Sequence, residues 1–176
     1  PCILHSYFEV AIKLGVKKIH LPLSVLREMS ATDKKFFDEL GASCHSLEEL
    51  QEAQNLGCTY VTAGHIFATD CKKDLEPRGI NFLMKLRESA KVPIFAIGGI
   101  NAENILQVQS IGVNGACIMS GFMICEAVSD FMNNLQRKKK MRFGNDIPFE
   151  AFYHSSRKEA SRKKPIFFIH KYFARR

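Results

Sequence analysis

Residues 56–74 read LGCTYVTAGHIFATDCKKD, and this stretch decides how the chain is built. Leu56-Gly57 closes a helix-like segment, because glycine supplies the left-handed conformation that stops a helix and turns the chain back. Residues 60–63 then read as a short strand, after which the chain turns at Gly64 and presents His65. A loop with Thr69, Asp70, Cys71, Lys72 and Lys73 follows. Proton-transfer and anion-binding side chains thus leave the C-terminal end of a strand, where parallel α/β proteins place their chemistry.

The same unit recurs on either side. Leu14-Gly15 and Ile111-Gly112 also close helix-like segments, and a strand begins shortly after each glycine. The expected strands are 18–21, 40–44, 60–63, 93–97 and 115–120. Most are short, apolar and β-branched, as strands buried on both faces of a parallel sheet are. Ser46-Leu47-Glu48-Glu49 reads as a capping box, in which hydroxyl and carboxylate satisfy each other's backbone donors. Asn101 is expected to cap a helix with Ile105, Val108 and Ile111 on one face. Ile80, Leu83, Met84 and Leu86 mark another helix between Gly79 and Ala90. Repeats of roughly 20 to 30 residues fit β/α units set side by side. Residues 1–8 read as the end of a strand with its following loop. About five strands are too few to close an eight-stranded barrel, which leaves an open half-barrel or, the favoured expectation, a fragment that lacks its first two or three units.

A chain of 176 residues, 46% of them hydrophobic, suits one domain with a sizeable core. The net charge of +7 is unevenly spread. Residues 137–176 hold 13 Lys+Arg against 3 Asp+Glu, which leaves 12 basic and 15 acidic groups of the chain's 25 and 18 for residues 1–136. The body is mildly acidic and the basic character belongs to a tail. That tail is read as an extension outside the barrel, the sharper alternative being a basic-aromatic segment for an acidic partner or single-stranded nucleic acid. No RNA-binding signature supports the alternative. The 6 cysteines show no zinc spacing and several sit in apolar runs, as reduced core thiols do. No secretory signal starts the sequence and no apolar run reaches the roughly 18 residues of a membrane span. A cytoplasmic, disulfide-free protein is expected.

Two turns have the make-up of a phosphate site. Ala96-Ile97-Gly98-Gly99-Ile100-Asn101 ends one strand and opens a helix, and Met119-Ser120-Gly121 ends the next strand. Glycine lets backbone N–H groups approach an anion with no Cβ in the way. His65 is either a rim histidine satisfied by hydrogen bonds or a general acid/base, since its ordinary titration lies near neutrality. Lys72 is either a solvated loop lysine or the counter-charge of a substrate carboxylate or phosphate.

Taken together, the run Gly41–Glu49, the stretch AGHIFATDCKKDLEPRG, VPIFAIGGI and GACIMSG resemble the thiamine phosphate synthase superfamily. The resemblance covers about residues 3–136. It implies a TIM (β/α)8 barrel of that type, here a partial barrel of about five units over residues 1–137, followed by a basic tail over residues 138–176. One branch of the superfamily joins a pyrimidine pyrophosphate to a thiazole phosphate with magnesium. The other is the TenI-type thiazole tautomerase, which aromatises a carboxythiazole phosphate by a proton shift.

Synthases carry Gly-Pro where this chain has Gly64-His65. A histidine, a run like Thr69-Asp70-Cys71-Lys72-Lys73 and a turn like Glu76-Pro77-Arg78-Gly79 resemble the tautomerase branch. The synthase's magnesium-binding Asn-Asp pair aligns with His5 and Ser6, and its further aspartate with Val25, which cannot ligate magnesium. The expectation is therefore a thiazole tautomerase with His65 as acid/base, the alternatives being a thiamine phosphate synthase and a non-catalytic regulatory relative that binds a phosphate ligand. Ser43, Thr69, Lys72, Gly98, Gly99, Ser120 and Gly121 would bind substrate and phosphate, without metal or cofactor. The implied partner is a small-molecule thiazole phosphate. Nucleic acid and membrane are not expected, and a homo-oligomer is left open.

Overall fold

The computed structural model describes residues 3–143, with only the backbone described at Cys71 and 136–143. Six strands carry the fold: β1 Leu4–His5, β2 Lys18–Leu21, β3 Glu39–Cys44, β4 Tyr60–Gly64, β5 Ile94–Ile97 and β6 Gly115–Cys117. They form one sheet in chain order, every neighbouring pair parallel. Consecutive parallel strands need crossovers, and helices supply them. These are α1 Phe8–Lys13, α2 Leu23–Glu28, α3 Ala31–Phe36, α4 Leu47–Asn55, α5 Gly79–Ser89, α6 Ile105–Ser110, α7 Ser120–Ile124 and α8 Val128–Phe143. The architecture is a partial β/α barrel. The opening stub forms a paired strand, so the sheet has six strands where five were expected.

Register divides the sheet into two faces, since neighbouring side chains of a strand point opposite ways. Leu21, Ala42, Val61 and Ile94 lie side by side in one row, and Cys44, Ala63, Ala96 and Ala116 in another. These residues are buried together with Leu26, Leu50, Leu83, Leu86, Ile105 and Val108 from the helices. Burying each such Leu or Ile contributes roughly 1.5–3 kcal/mol. The opposite face carries the row His5, His20, Gly41, Tyr60 and the row Ser43, Thr62, Phe95. Tyr60, Phe95 and Cys117 form a separate small apolar cluster there.

Local chemistry explains where elements start and stop. Gly15, Gly57 and Gly112 follow their helices with φ of 68°, 89° and 78°, values that favour glycine. Ser46 Oγ accepts from Glu49 N–H at 3.1 Å, as the capping box requires. The Glu49 carboxylate, however, accepts from His45 N–H and not from Ser46. Asn101 caps a turn ahead of the helix: its Oδ1 accepts from Glu103 N–H at 2.8 Å, and α6 begins only at Ile105. The last strand ends at Cys117, short of the expected residue 120, because Ser120 already opens α7. Helix α8 carries 138–140 within it and ends at Phe143; the rest of the expected tail lies outside the described residues. Cys44 and Cys58 are buried free thiols. Among the described residues, no helix is long and apolar enough to cross a membrane.

Candidate active site

The C-terminal ends of the strands surround a cavity of about 210 Å³. Seven of the residues singled out in the sequence line it: Ser43, His65, Thr69, Lys72, Gly98, Gly99 and Ser120. Gly121 does not. It follows Ser120 in α7, and a Cβ there would lie 2.6 Å from Phe131 Cζ, so helix packing accounts for this glycine.

The loop after β4 is held by backbone. Ile66 N–H donates to the Ile97 carbonyl and Phe67 N–H to the Gly98 carbonyl, each at 3.0 Å. The two glycines permit that approach. Gly98 and Gly99 have φ of 98° and 65°, and their Cβ atoms would lie 2.3 Å from His65 Cβ and from the Ala68 carbonyl oxygen. The Gly99 carbonyl in turn accepts from Asn104 Nδ2 at 2.9 Å. His65 itself is buried, and its Nε2 donates to the Leu75 carbonyl at 3.2 Å, which fastens the loop across its own span. Lys72 ends the helical turn Asp70–Lys72 and reaches the cavity, whereas Lys73 turns outward to pair with exposed Asp70 at 3.4 Å.

Sequence reasoning missed three further lining residues that carry an imidazole or a hydroxyl: His20, His45 and Thr62. His20 is buried between Tyr60 Oη (3.1 Å from Nδ1) and Ser43 Oγ (2.9 Å from Nε2). Thr62 Oγ1 donates to Ser43 Oγ at 3.4 Å and lies 3.3 Å from His20 Nε2. Gly41 makes this possible, since a Cβ there would sit 2.0 Å from Tyr60 Cζ. Burial pushes the Tyr60 phenol up from its ordinary value, so it stays protonated across the neutral range. His45 Nδ1 donates to the Gly64 carbonyl at 2.6 Å and ties the end of β3 to that of β4. The available signal was the polar side chain at alternate positions of apolar strands, as at Lys18-Ile19-His20-Leu21.

A cavity of hydroxyls, imidazoles, one ammonium and a Gly-Gly turn, at the C-terminal rim of a parallel sheet, defines a β/α-barrel protein with the donors to hold an anionic small molecule. A family profile described as thiamine monophosphate synthase matches residues 1–122, and the chain belongs to that family. A thiamine-phosphate synthase of Ruminiclostridium cellulolyticum is 34% identical over 128 residues, covering 70% of this chain and 59% of the relative. One of Pyrococcus horikoshii is 38% identical over 134 residues, covering 73% and 62%. The chain therefore spans about three fifths of the length of these relatives. A solved thiamine phosphate pyrophosphorylase from Pyrococcus furiosus superposes with a TM-score of 0.64 at 31% identity, covering 79% of this chain and 67% of that one.

These matches overturn the tautomerase expectation. The relatives carry the name of the synthase, and they match across strands and helices, where the tautomerase reading rested on the segment 64–79 and on the residues at positions 5, 6 and 25. The magnesium of the synthase does not fit the residues here. His5 and Ser6 offer an imidazole and a hydroxyl bonded to one another at 2.5 Å, and Val25 packs half-buried against the helix-side core. Among the described residues, no three His, Cys, Asp or Glu side chains converge to hold a metal ion.

Proposed function

We propose that this chain is a thiamine-phosphate synthase-type enzyme whose cavity holds a thiazole phosphate and the pyrimidine pyrophosphate joined to it. The observation that carries this reading is the gathering of Lys72, Ser43, Thr69, Ser120 and the Gly98-Gly99 turn around one cavity, in a chain whose relatives bear that name. In it, Gly98, Gly99 and Ser120 donate to the thiazole's phosphate, as backbone amides and a hydroxyl at a strand-to-helix turn do. Lys72, with the hydroxyls of Ser43 and Thr69, faces the pyrophosphate and offsets its charge as it departs. Positioning both substrates in one small cavity supplies the rest of the acceleration. The partner is accordingly a small phosphate-bearing molecule. Residues 1–137 act as the barrel unit and residues 138–176 as an appendage to it.

The test is direct. The full chain is incubated with both substrates and thiamine phosphate is measured; product that disappears in Lys72→Met supports the reading. A second reading is favoured by His5, Ser6 and Val25, which replace the family's metal-binding residues. In it the chain binds the phosphate ligand and regulates, without catalysis. Saturable binding of thiamine phosphate with no turnover would select that alternative.

A further inference from the structure

The lining of the cavity contains His20, His45, His65 and Lys72, four hydroxyls and not one carboxylate among the described residues. Magnesium is held through one or two carboxylates and the substrate's phosphate oxygens, and calcium through more oxygens still. The acidic side chains nearest in sequence are committed elsewhere. Glu49 accepts from His45 N–H at the start of α4, and Asp70 is 95% exposed beside Lys73. The three positions where the family places its metal-binding groups carry an imidazole, a hydroxyl and a hydrocarbon. Of these, His5 stacks on His20 at 5.7 Å, and Ser6 N–H donates to the His20 carbonyl at 3.0 Å. A divalent cation entering this lining would meet the Lys72 ammonium, with no carboxylate among the described lining residues to offset the repulsion.

The same inventory suits an anion. Lys72 supplies charge, and Ser43, Thr69 and Ser120 supply hydroxyl donors. The Gly98-Gly99 turn supplies backbone that no Cβ obstructs. His45 has its Nδ1 engaged by the Gly64 carbonyl, so Nε2 is the nitrogen that a ligand can meet. We infer that this chain binds its phosphate-bearing ligand directly, with no divalent cation between protein and anion. The inference rests on the cavity being the phosphate-ligand site proposed above. It departs from the metal requirement of the family, and its cause is the loss of two carboxylates and one carboxamide at three positions together with a lysine in the lining.

Titration calorimetry of the full chain with thiamine phosphate, and separately with inorganic pyrophosphate, tests it in EDTA and in magnesium, each affinity referred to free ligand. The expected result is a Kd that agrees between the two buffers within about threefold. In EDTA, Lys72→Met should weaken binding of both probes roughly tenfold or more, as loss of a charge-assisted contact does. Affinity that rises about tenfold or more with magnesium overturns the inference and leaves the synthase reading standing. Metal-free binding without product formation from the two substrates does the reverse. Absence of binding for both probes in both buffers overturns both.

Discussion

On β4, Val61 and Ala63 face the helices while Tyr60 and Thr62 face the interior of the partial barrel, and β3 divides Ala42 and Cys44 from Gly41 and Ser43 in the same way. The helix side is hydrocarbon, with its rows matched in register across four strands. The interior side is a hydrogen-bonded layer of His20, Tyr60, Ser43 and Thr62 that opens onto the cavity. Both sides are well buried at their centres: Val61 is 0% exposed and His20 4%. Burial alone therefore does not separate scaffold from site. What separates them is whether a buried atom needs a directional partner. Apolar burial tolerates imprecision and yields stability, whereas each polar group on the interior side fixes the position of its neighbour.

The contrast is broken most strongly from the helix side. Leu21→Ala removes a fully buried side chain next to His20 in sequence but on the opposite face. It should cost about 3 kcal/mol of unfolding free energy, measured by urea titration. Affinity for thiamine phosphate should stay unchanged in the protein that remains folded. A large loss of affinity at full folding would show that the two faces are one mechanical unit.

How much of this was legible before the structure follows from the range of the interactions. Helix ends were legible because their causes are local: Gly15, Gly57 and Gly112 sit at left-handed positions, and Ser46 bonds Glu49 within one turn. Seven of the eight proposed site residues meet in the cavity because strand C-termini converge by topology, which β/α repetition announces. His45 escaped notice since its partner, the Gly64 carbonyl, lies 19 residues away on the next strand. His20 escaped for the same reason, its partners being 23 and 40 residues distant. The Gly98-Gly99 pair was read as a phosphate turn, yet its positive φ and its contacts with His65 and Ala68 show that packing alone already demands glycine. Side chains of the β4 loop suggested the tautomerase branch, and relatives matched over most of the chain overruled them.

A pH titration sharpens the comparison with a smaller effect. Burial pushes the thiols of Cys44 and Cys58 from 9.0 up to about 12, and both sit on the helix side. The folded state keeps these protons where the unfolded chain has released them, so the unfolded state binds fewer protons above the unfolded value. Stability is then fully present below about pH 9 and falls as pH rises toward the folded value, by up to about 1.4 kcal/mol per pH unit for each thiol. Urea midpoints at about pH 8 and about pH 9.5 measure the loss, and Cys44→Ala with Cys58→Ala should flatten the slope while lowering the plateau. A slope that survives both substitutions would place the titrating group elsewhere, with Tyr60 on the interior side the first to examine.

The smallest stability effect should come from Ser43→Ala, and it is the most informative about the interior side. The change removes the hydroxyl that lies 2.9 Å from His20 Nε2 and 3.4 Å from Thr62 Oγ1. His20 keeps Thr62 Oγ1 at 3.3 Å and Tyr60 Oη at 3.1 Å, so the imidazole is not stranded without partners. The expected cost to folding is about 1 kcal/mol, that of one hydrogen bond. Ser43 also lines the cavity, so thiamine phosphate affinity should fall by roughly tenfold, about 1.4 kcal/mol, a larger share of binding than of stability. Ser43→Thr, which retains the hydroxyl, should recover most of the affinity. If Ser43→Ala instead destabilises the chain as much as Leu21→Ala and leaves affinity intact, the polar layer is structural support, and the division of labour between the two faces does not hold.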